Sequence, residues 1–381
     1  MNPTRAEIDL KKLEHNFNSI RDYLKREKPG KKIKICGVVK ANAYGHGIQE
    51  ISEKLIGLGA DYLGVANYDE AIKLRSVIPD ANILVFGTLI HSKLKPAAYV
   101  KRLLKYNLIA TVASLDTAKF LDYYSGKLGR KFKVHIKIDT GLKRIGFDVK
   151  RAYKNVEQIF GYKNLDIEGI YTHFATSESA DKTFAKHQLN KFYDLIQSLK
   201  KGGMRFPIVH SANSGAIINL KDSYFDMVRP GLLLYGYYPS ENLKHKIDLK
   251  PIMNLKSKVT FIKRVEANTS ISYGRKYFTD KRSFIGSIPV GYGDGYWRAL
   301  SNIGKVVIGN KYYPIAGTIT MDWLMVYLGV KSSVRIGDDV LLMGAQNGEY
   351  MGADRLAKIL KTIPYEVLCA VADRVQRIYF N

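Results

Sequence analysis

Val38-Val39-Lys40-Ala41-Asn42-Ala43-Tyr44-Gly45-His46-Gly47 is the stretch on which the reading of this chain turns. It closes an apolar run from Ile33 to Val39 and precedes a helical pattern that begins near Ile48. A continuous apolar run of that length, followed by glycines and a helix, reads as a buried parallel strand. Lys40 stands at its carboxyl end. An unpaired ammonium is costly to bury. Two outcomes are open: the side chain reaches solvent, or its pKa falls and the amine condenses with an aldehyde, as Schiff-base lysines do. Tyr44 and the two glycines are suited to seating a phosphate.

Working outward, the same alternation recurs. Strand-like runs fall near 33–40, 62–66, 82–87, 108–112, 132–138, 167–172, 206–210 and 226–234. Helical stretches lie between them, among them 48–57, 69–77, 92–105, 115–123, 149–159 and 183–199. A further helical pattern follows residues 4–10. Eight strands alternating with helices predict an α/β fold, an N-terminal (β/α)8 TIM-type barrel over 1–245. A doubly wound sheet is the alternative, but no Gly-x-Gly-x-x-Gly opens a first helix. From Pro239 to Pro251 the pattern becomes polar and linker-like. Beyond it, short β-type runs near 257–265, 284–290, 305–308, 324–328 and 340–343 predict a C-terminal mostly β domain over 246–381, with a helix near 353–361 and a closing strand at 377–380.

In a barrel of this kind the chemistry gathers at the carboxyl ends of the strands. Polar residues sit there repeatedly: Lys40 and Tyr44 after the first strand, Lys137, Asp139 and Arg144 at the fifth, His173 after the sixth, His210, Asn213 and Ser214 after the seventh, Arg229 and Gly231 on the eighth. Period two puts His135, Lys137 and Asp139 on one face. If that face is interior, the Lys137 cation needs an anion; if exterior, it is simply solvated. Arg229 keeps its charge under almost any burial, so its partner must accept hydrogen bonds. Gly231 allows close approach to a phosphate.

Composition bounds the rest. The chain has 381 residues, 46% of them hydrophobic, enough for two domains. No apolar run is long enough to span a bilayer, and Met1-Asn2-Pro3-Thr4-Arg5 has no signal-peptide pattern. Two cysteines, Cys36 and Cys369, form neither a disulfide framework nor a zinc spacing, so a reducing cytoplasm is the expected setting and no metal is expected. The net charge of +25 is spread along the chain without a basic block or an RNA-binding motif, which argues against nucleic acid and membrane partners. A positive field of this kind still favours an anionic small molecule.

Together these motifs resemble the alanine racemase family, from Pro3–Leu10 and the Val38–Gly47 decamer through His135–Gly146, Tyr171–Thr176, His210–Ser214, Val228–Gly231, Ser272–Gly274, Thr320–Asp322 and Tyr365–Cys369. The resemblance implies a homodimeric, pyridoxal 5'-phosphate (PLP)-dependent isomerase that interconverts L- and D-alanine for peptidoglycan. It implies that Lys40 holds PLP and serves one face of the substrate, while Tyr273 of the other subunit serves the opposite face. His173 would orient Tyr273 and bridge it to Arg229, which would face the pyridine nitrogen. Tyr44, Ser214, Gly231, Leu232 and Tyr365 would hold the phosphate. Lys137 matches a lysine often carbamylated in the family; the carbamate would position Arg144. Arg144 and the backbone N–H of Met321 would bind the substrate carboxylate, and Tyr292 and Arg298 would line the entrance. The sequence departs from the family at Lys143, where Gly is usual, at Thr318, where Arg is common, and at Gly293, Trp297 and Gln376. A serine or broader racemase, a PLP decarboxylase of the same architecture, and a PLP-binding barrel protein without a second domain are the alternatives. Residues 250–381 argue against the last, and Tyr365 favours alanine over serine.

Overall fold

A computed structural model describes residues 3–89, 96–243 and 246–381. Eight parallel strands close a barrel in chain order: Lys34–Val38, Tyr62–Val65, Ile83–Val85, Ile109–Val112, Phe132–Asp139, Leu165–Tyr171, Ile208–Asn213 and Met227–Arg229. The last pairs with the first through Met227 opposite Lys34, and Ala110–Val112 pairs with Val134–Ile136 at the midpoint. Closure leaves no free edge, and helices cover the outside, so the strands are buried on both faces. That is why they read as continuous apolar runs. Each of the eight expected strands is present, along with the helices Ile48–Gly57, Tyr68–Val77, Leu115–Lys127, Val149–Phe160 and Thr183–Lys201. The expected helix over 92–105 is described from Pro96 to Lys105; its opening, 92–95, lies outside the described residues.

The C-terminal part is mostly β. A seven-stranded sheet contains Met253–Lys258, Lys305–Ile308, Lys311–Pro314, Asp339–Gln346, Glu349–Met351 and Gln376–Phe380, and a separate sheet joins Phe261–Val265, Ser283–Ile288 and Leu324–Gly329. The run expected at 257–265 therefore breaks in two, and its halves belong to different sheets. The seventh strand of the larger sheet is Arg5–Asp9, between Met253–Lys258 and Gln376–Phe380. The chain thus begins in the β part and enters the barrel through the helix Leu10–Glu27, which Asp9 caps by accepting from the Lys12 amide. One apolar core runs through both parts, from Ala6 and Ile8 to Val375. Asn16 ties them further: it donates to the carbonyls of Leu234 and Lys250 and accepts from the Lys250 amide at 2.7 Å.

Candidate active site

Lys40 stands one residue past Val39 in a short turn over Lys40–Tyr44. Ala41, Asn42 and Ala43 have φ of 53°, 53° and 52°, and Tyr44 has 53°. This is a left-handed turn made of residues with a Cβ, at a cost of about 1–2 kcal/mol each. Surrounding bonds hold it: the Ala43 amide donates to Val39 O, the Ala41 amide to Glu70 Oε1, and the Ile48 amide to Asn42 Oδ1, all at 2.9 Å. Strain of this kind collects at functional positions. Here it sets Lys40 and Tyr44 on the wall of one cavity.

That cavity, ≈ 510 Å³ in volume, opens at the carboxyl ends of the barrel strands. It is lined by Lys40, Tyr44, Lys137, Arg144, His173, Ser214, Arg229, Gly231 and Tyr365. Nine of the residues singled out from the sequence therefore meet in one place. Leu232 follows Gly231 and is fully buried. On one side Ser214 Oγ accepts from the Gly231 amide at 2.9 Å, at the start of the helix Ser214–Asn219. The Tyr44 ring lies between Tyr235, 4.8 Å away, and Tyr365, 5.8 Å away. A Cβ on residue 231 would come within 2.7 Å of the Tyr44 hydroxyl. The cradle is open only because that residue is glycine. Gly231→Ala should weaken binding of a phosphate-bearing cofactor about 10–100-fold, from the ~1–3 kcal/mol cost of overpacking; a titration of the apoprotein reads this directly, and unchanged affinity would separate Gly231 from the phosphate site.

The floor is cationic. Lys137 is 4% exposed and its Nζ lies 4.4 Å from the centre of the Tyr171 ring. Of the two readings of the 135–139 face, the interior one holds for His135 and Lys137, both buried inside the barrel. Among the described residues no carboxylate forms an ion pair with Lys137. Burial, then the charges of Arg229 and Arg144, push its amine well below the usual lysine range. Lys40 is pushed down in the same direction by burial and then by Arg144. Arg229, 3% exposed, donates to Thr172 O (2.9 Å), Ser211 O (2.8 Å) and His210 Nδ1 (2.8 Å) and lies 3.3 Å from His173 Nδ1. Burial lowers its guanidinium to about 10, still charged at neutral pH. His173 is held well below the usual imidazole range by burial and then by Lys137 and Arg229, so it is neutral.

The remaining candidates stand elsewhere. Tyr273 (74% exposed), Met321 (52%), Tyr292 (45%) and Arg298 belong to surface loops of the β part and do not line the cavity. Three of these loops are tied together: Tyr292 donates its amide to Thr320 O, Gly293 to Met321 O, and Thr318 Oγ1 donates to Tyr273 O at 2.8 Å. Thr318, one of the departures, thus holds the Tyr273 backbone. Lys143, another, has φ of 58°, the left-handed region where glycine is free of strain; Asp139 and Asp148 pair with its ammonium. Sequence reasoning passed over two residues of the site. Tyr171 stacks on His210 at 4.7 Å and 10° and carries both Lys137 and Arg229 over its ring. His210 was placed at a strand end but given no role. The alternation of the sixth and seventh strands was the signal available for both.

Comparison with known proteins follows the same division of the chain. The family model for the alanine racemase N-terminal domain matches residues 8–239, and that for the alanine racemase C-terminal domain matches 252–379. The chain is 42% identical to alanine racemase 2 of Caldanaerobacter subterraneus subsp. tengcongensis, covering 99% of this chain and 95% of that protein. It is 41% identical to the alanine racemase of Halothermothrix orenii over 100% and 97%. In structure it is similar to the alanine racemase of Clostridium difficile 630, with a TM-score of 0.91 at 38% identity over 100% and 96% of the two chains. The alanine racemase of Bacillus anthracis with bound L-Ala-P gives 0.90 at 32% identity over 100% and 96%. Barrel and β domain are thus shared with those proteins over nearly their whole length, and the chain belongs to the alanine racemase family.

Proposed function

We propose that this protein is a PLP-dependent racemase of alanine that works as a homodimer. The observation that carries the reading is the placement of Lys40: a half-buried amine of lowered basicity, between a glycine-gated cradle and a cationic floor. The residues present fit PLP. Tyr44, Ser214, Gly231, Leu232 and Tyr365 would hold its phosphate, Lys40 its aldehyde carbon, and Arg229 its ring nitrogen. When bound, PLP delocalises the electron pair left behind as the α-proton departs.

The chain's own residues do the rest. Lys40 Nζ, its ammonium disfavoured by burial, takes or returns the proton on one face of the α-carbon. Arg229, still charged at neutral pH, would keep its proton and offer the ring nitrogen a hydrogen bond without transferring it. Tyr273 is exposed on its own chain and absent from the cavity wall, which supports its entering the site of the partner subunit to serve the opposite face. Neutral His173, whose Nδ1 already faces the Arg229 donor, would carry its proton on Nε2, donate it in a hydrogen bond to the Tyr273 oxygen and so orient that tyrosine. Arg144 and the Met321 N–H would hold the substrate carboxylate, with Tyr292 and Arg298 at the entrance. No helix among the described residues is long and apolar enough to cross a membrane; a cytoplasmic setting, a domain boundary near 245/246 and the use of D-alanine in peptidoglycan are part of this proposal, with the free thiols Cys36 and Cys369 in keeping with the first.

Lys137 is read as a carbamate. Its amine lies under burial and the charges of Arg229 and Arg144, which outweigh the opposing charge of Asp139, and no carboxylate among the described residues is in ion-pair contact with it. Carbon dioxide would add to the neutral amine, an N–H proton leaving to solvent as the N–C bond forms, to give a carbamate anion that can pair with Arg144. Lys137→Ala should raise KM for alanine roughly tenfold or more, the cost of losing a charge-assisted contact, and a small added anion should restore part of it. A plain ammonium in an experimental density map, paired with a side-chain carboxylate, would reduce Lys137 to a structural role.

Incubation of the PLP-loaded protein with L-alanine, then with L-serine, followed by chiral separation, tests the function. D-alanine should appear and should form faster than D-serine. Release of carbon dioxide without the D-isomer would make the protein a decarboxylase instead.

A further inference from the structure

Beneath the cavity, the barrel interior holds a second polar system. Arg229 Nη1 lies 2.8 Å from His210 Nδ1, His210 Nε2 lies 2.9 Å from His135 Nδ1, and His135 Nε2 lies 3.1 Å from Glu168 Oε2. The four residues come from four consecutive strands of the barrel, Met227–Arg229, Ile208–Asn213, Phe132–Asp139 and Leu165–Tyr171. His135 and His210 are wholly buried. Glu168 is at the wetter end, where it also meets Lys133 Nζ at 3.6 Å and the Tyr62 hydroxyl. Among the described residues no carboxylate pairs directly with Arg229.

The ends of this chain dictate its middle. A guanidinium can only donate, and an ionised carboxylate can only accept. Arg229 therefore donates to His210 Nδ1. A neutral His210 then carries its proton on Nε2 and donates to His135 Nδ1. His135 in turn carries its proton on Nε2 and donates to Glu168. Protonating either ring would set two donors against each other. With both rings neutral, one arrangement alone satisfies every contact. The electrostatics agree: burial pushes both histidines down, helped at His210 by the Arg229 charge. Burial by itself would raise the Glu168 carboxyl, but the His135 hydrogen bond and the Lys133 charge hold it below its usual value.

We propose that Glu168 is the remote counter-ion of Arg229, acting through a one-way hydrogen-bond chain of His210 and His135 that fixes the orientation and proton pattern of the guanidinium. Glu168 is a positioning residue: it touches neither cofactor nor substrate. Its charge offsets that of Arg229 inside the barrel, and the one-way chain keeps the guanidinium donating into His210 in a single orientation. The catalytic consequence rests on the proposed role of Arg229 at the cofactor ring; the proton pattern does not.

The test uses the PLP-loaded enzyme with 15N-labelled histidine, its signals assigned by loss in His135→Gln and His210→Gln. Both rings should be neutral Nε2–H tautomers and should not titrate between about pH 5 and 8, where ordinary histidines do. An imidazolium or an Nδ1–H tautomer at either position overturns the proposal, and this measurement needs no Glu168 variant to fold. Glu168→Gln retains an oxygen acceptor and removes the charge. It should keep both tautomers while kcat falls roughly tenfold, the effect typical of a partner one step behind a ligating histidine, with KM for alanine unchanged. Glu168→Leu removes charge and acceptor together and should scramble the His135 tautomer. If Glu168→Leu leaves the ring spectra and kcat as in the parent enzyme, Glu168 has no such role. A protein that racemises no alanine but shows the expected tautomers would fail the functional reading and keep the hydrogen-bond chain.

Discussion

Lys40→Ala should abolish racemisation in both directions and with it the visible absorbance of covalently held cofactor. Lys40 is given two tasks, anchoring PLP and carrying the proton on one face, and removal of a positioned acid–base group alone costs ~10²–10⁴-fold. Its side chain reaches into the cavity from a turn held by backbone bonds to Val39, Glu70 and Asn42, none of which involves the amine. The variant should therefore fold, bind PLP weakly through the Tyr44–Ser214–Gly231 cradle, and show only the spectrum of the free aldehyde. Lys137 lines the same cavity, but lies against the face of the Tyr171 ring, and is not expected to take over. A Lys40→Ala protein that keeps both the absorbance and the activity would remove the central assignment.

Tyr273→Phe should leave that absorbance intact and remove one of the two proton carriers. Exchange of the α-proton for solvent deuterium should persist from the enantiomer that Lys40 serves and fall steeply, by about 10²–10⁴-fold, from the other. Equal loss from both would count against a division of labour between faces. The exposure of Tyr273 on its own chain adds a second arm. Mixing inactive Lys40→Ala and Tyr273→Phe proteins under conditions of subunit exchange should restore activity, because in each mixed dimer one of the two sites has both residues intact. Heterodimers that form but remain inactive would place both groups in one chain.

The barrel was open to sequence reading because its strands are short apolar segments buried on both faces, separated by helices whose period is equally plain. The position of a residue relative to a strand end is also a local property. Hence the sequence alone brings Lys40, His173, Ser214 and Arg229 to one rim. The order of the β strands after residue 250 was less open, since the apolar run through 257–265 carries no mark of the break that sends its halves to different sheets.

What the chain determined by itself was therefore periodic or local: eight alternating units, the lysine after the first strand, the glycine beside Arg229, and a second, β-rich part. Tertiary structure decided whatever depends on partners distant in sequence. The pairing of Arg5–Asp9 with strands some 250 and 370 residues away is one case. The left-handed turn at Ala41–Tyr44 is another, because none of its residues is glycine and its strain is offset by Glu70 and by bonds formed only after folding. The run from Arg229 through His210 and His135 to Glu168 depends on register across four strands, which no single strand encodes. The separation of Tyr273 from the Lys40 cavity is the last. Whether an exposed tyrosine faces its own site or another's is set by how the β part sits against the barrel, and one-dimensional patterning carries no record of that packing.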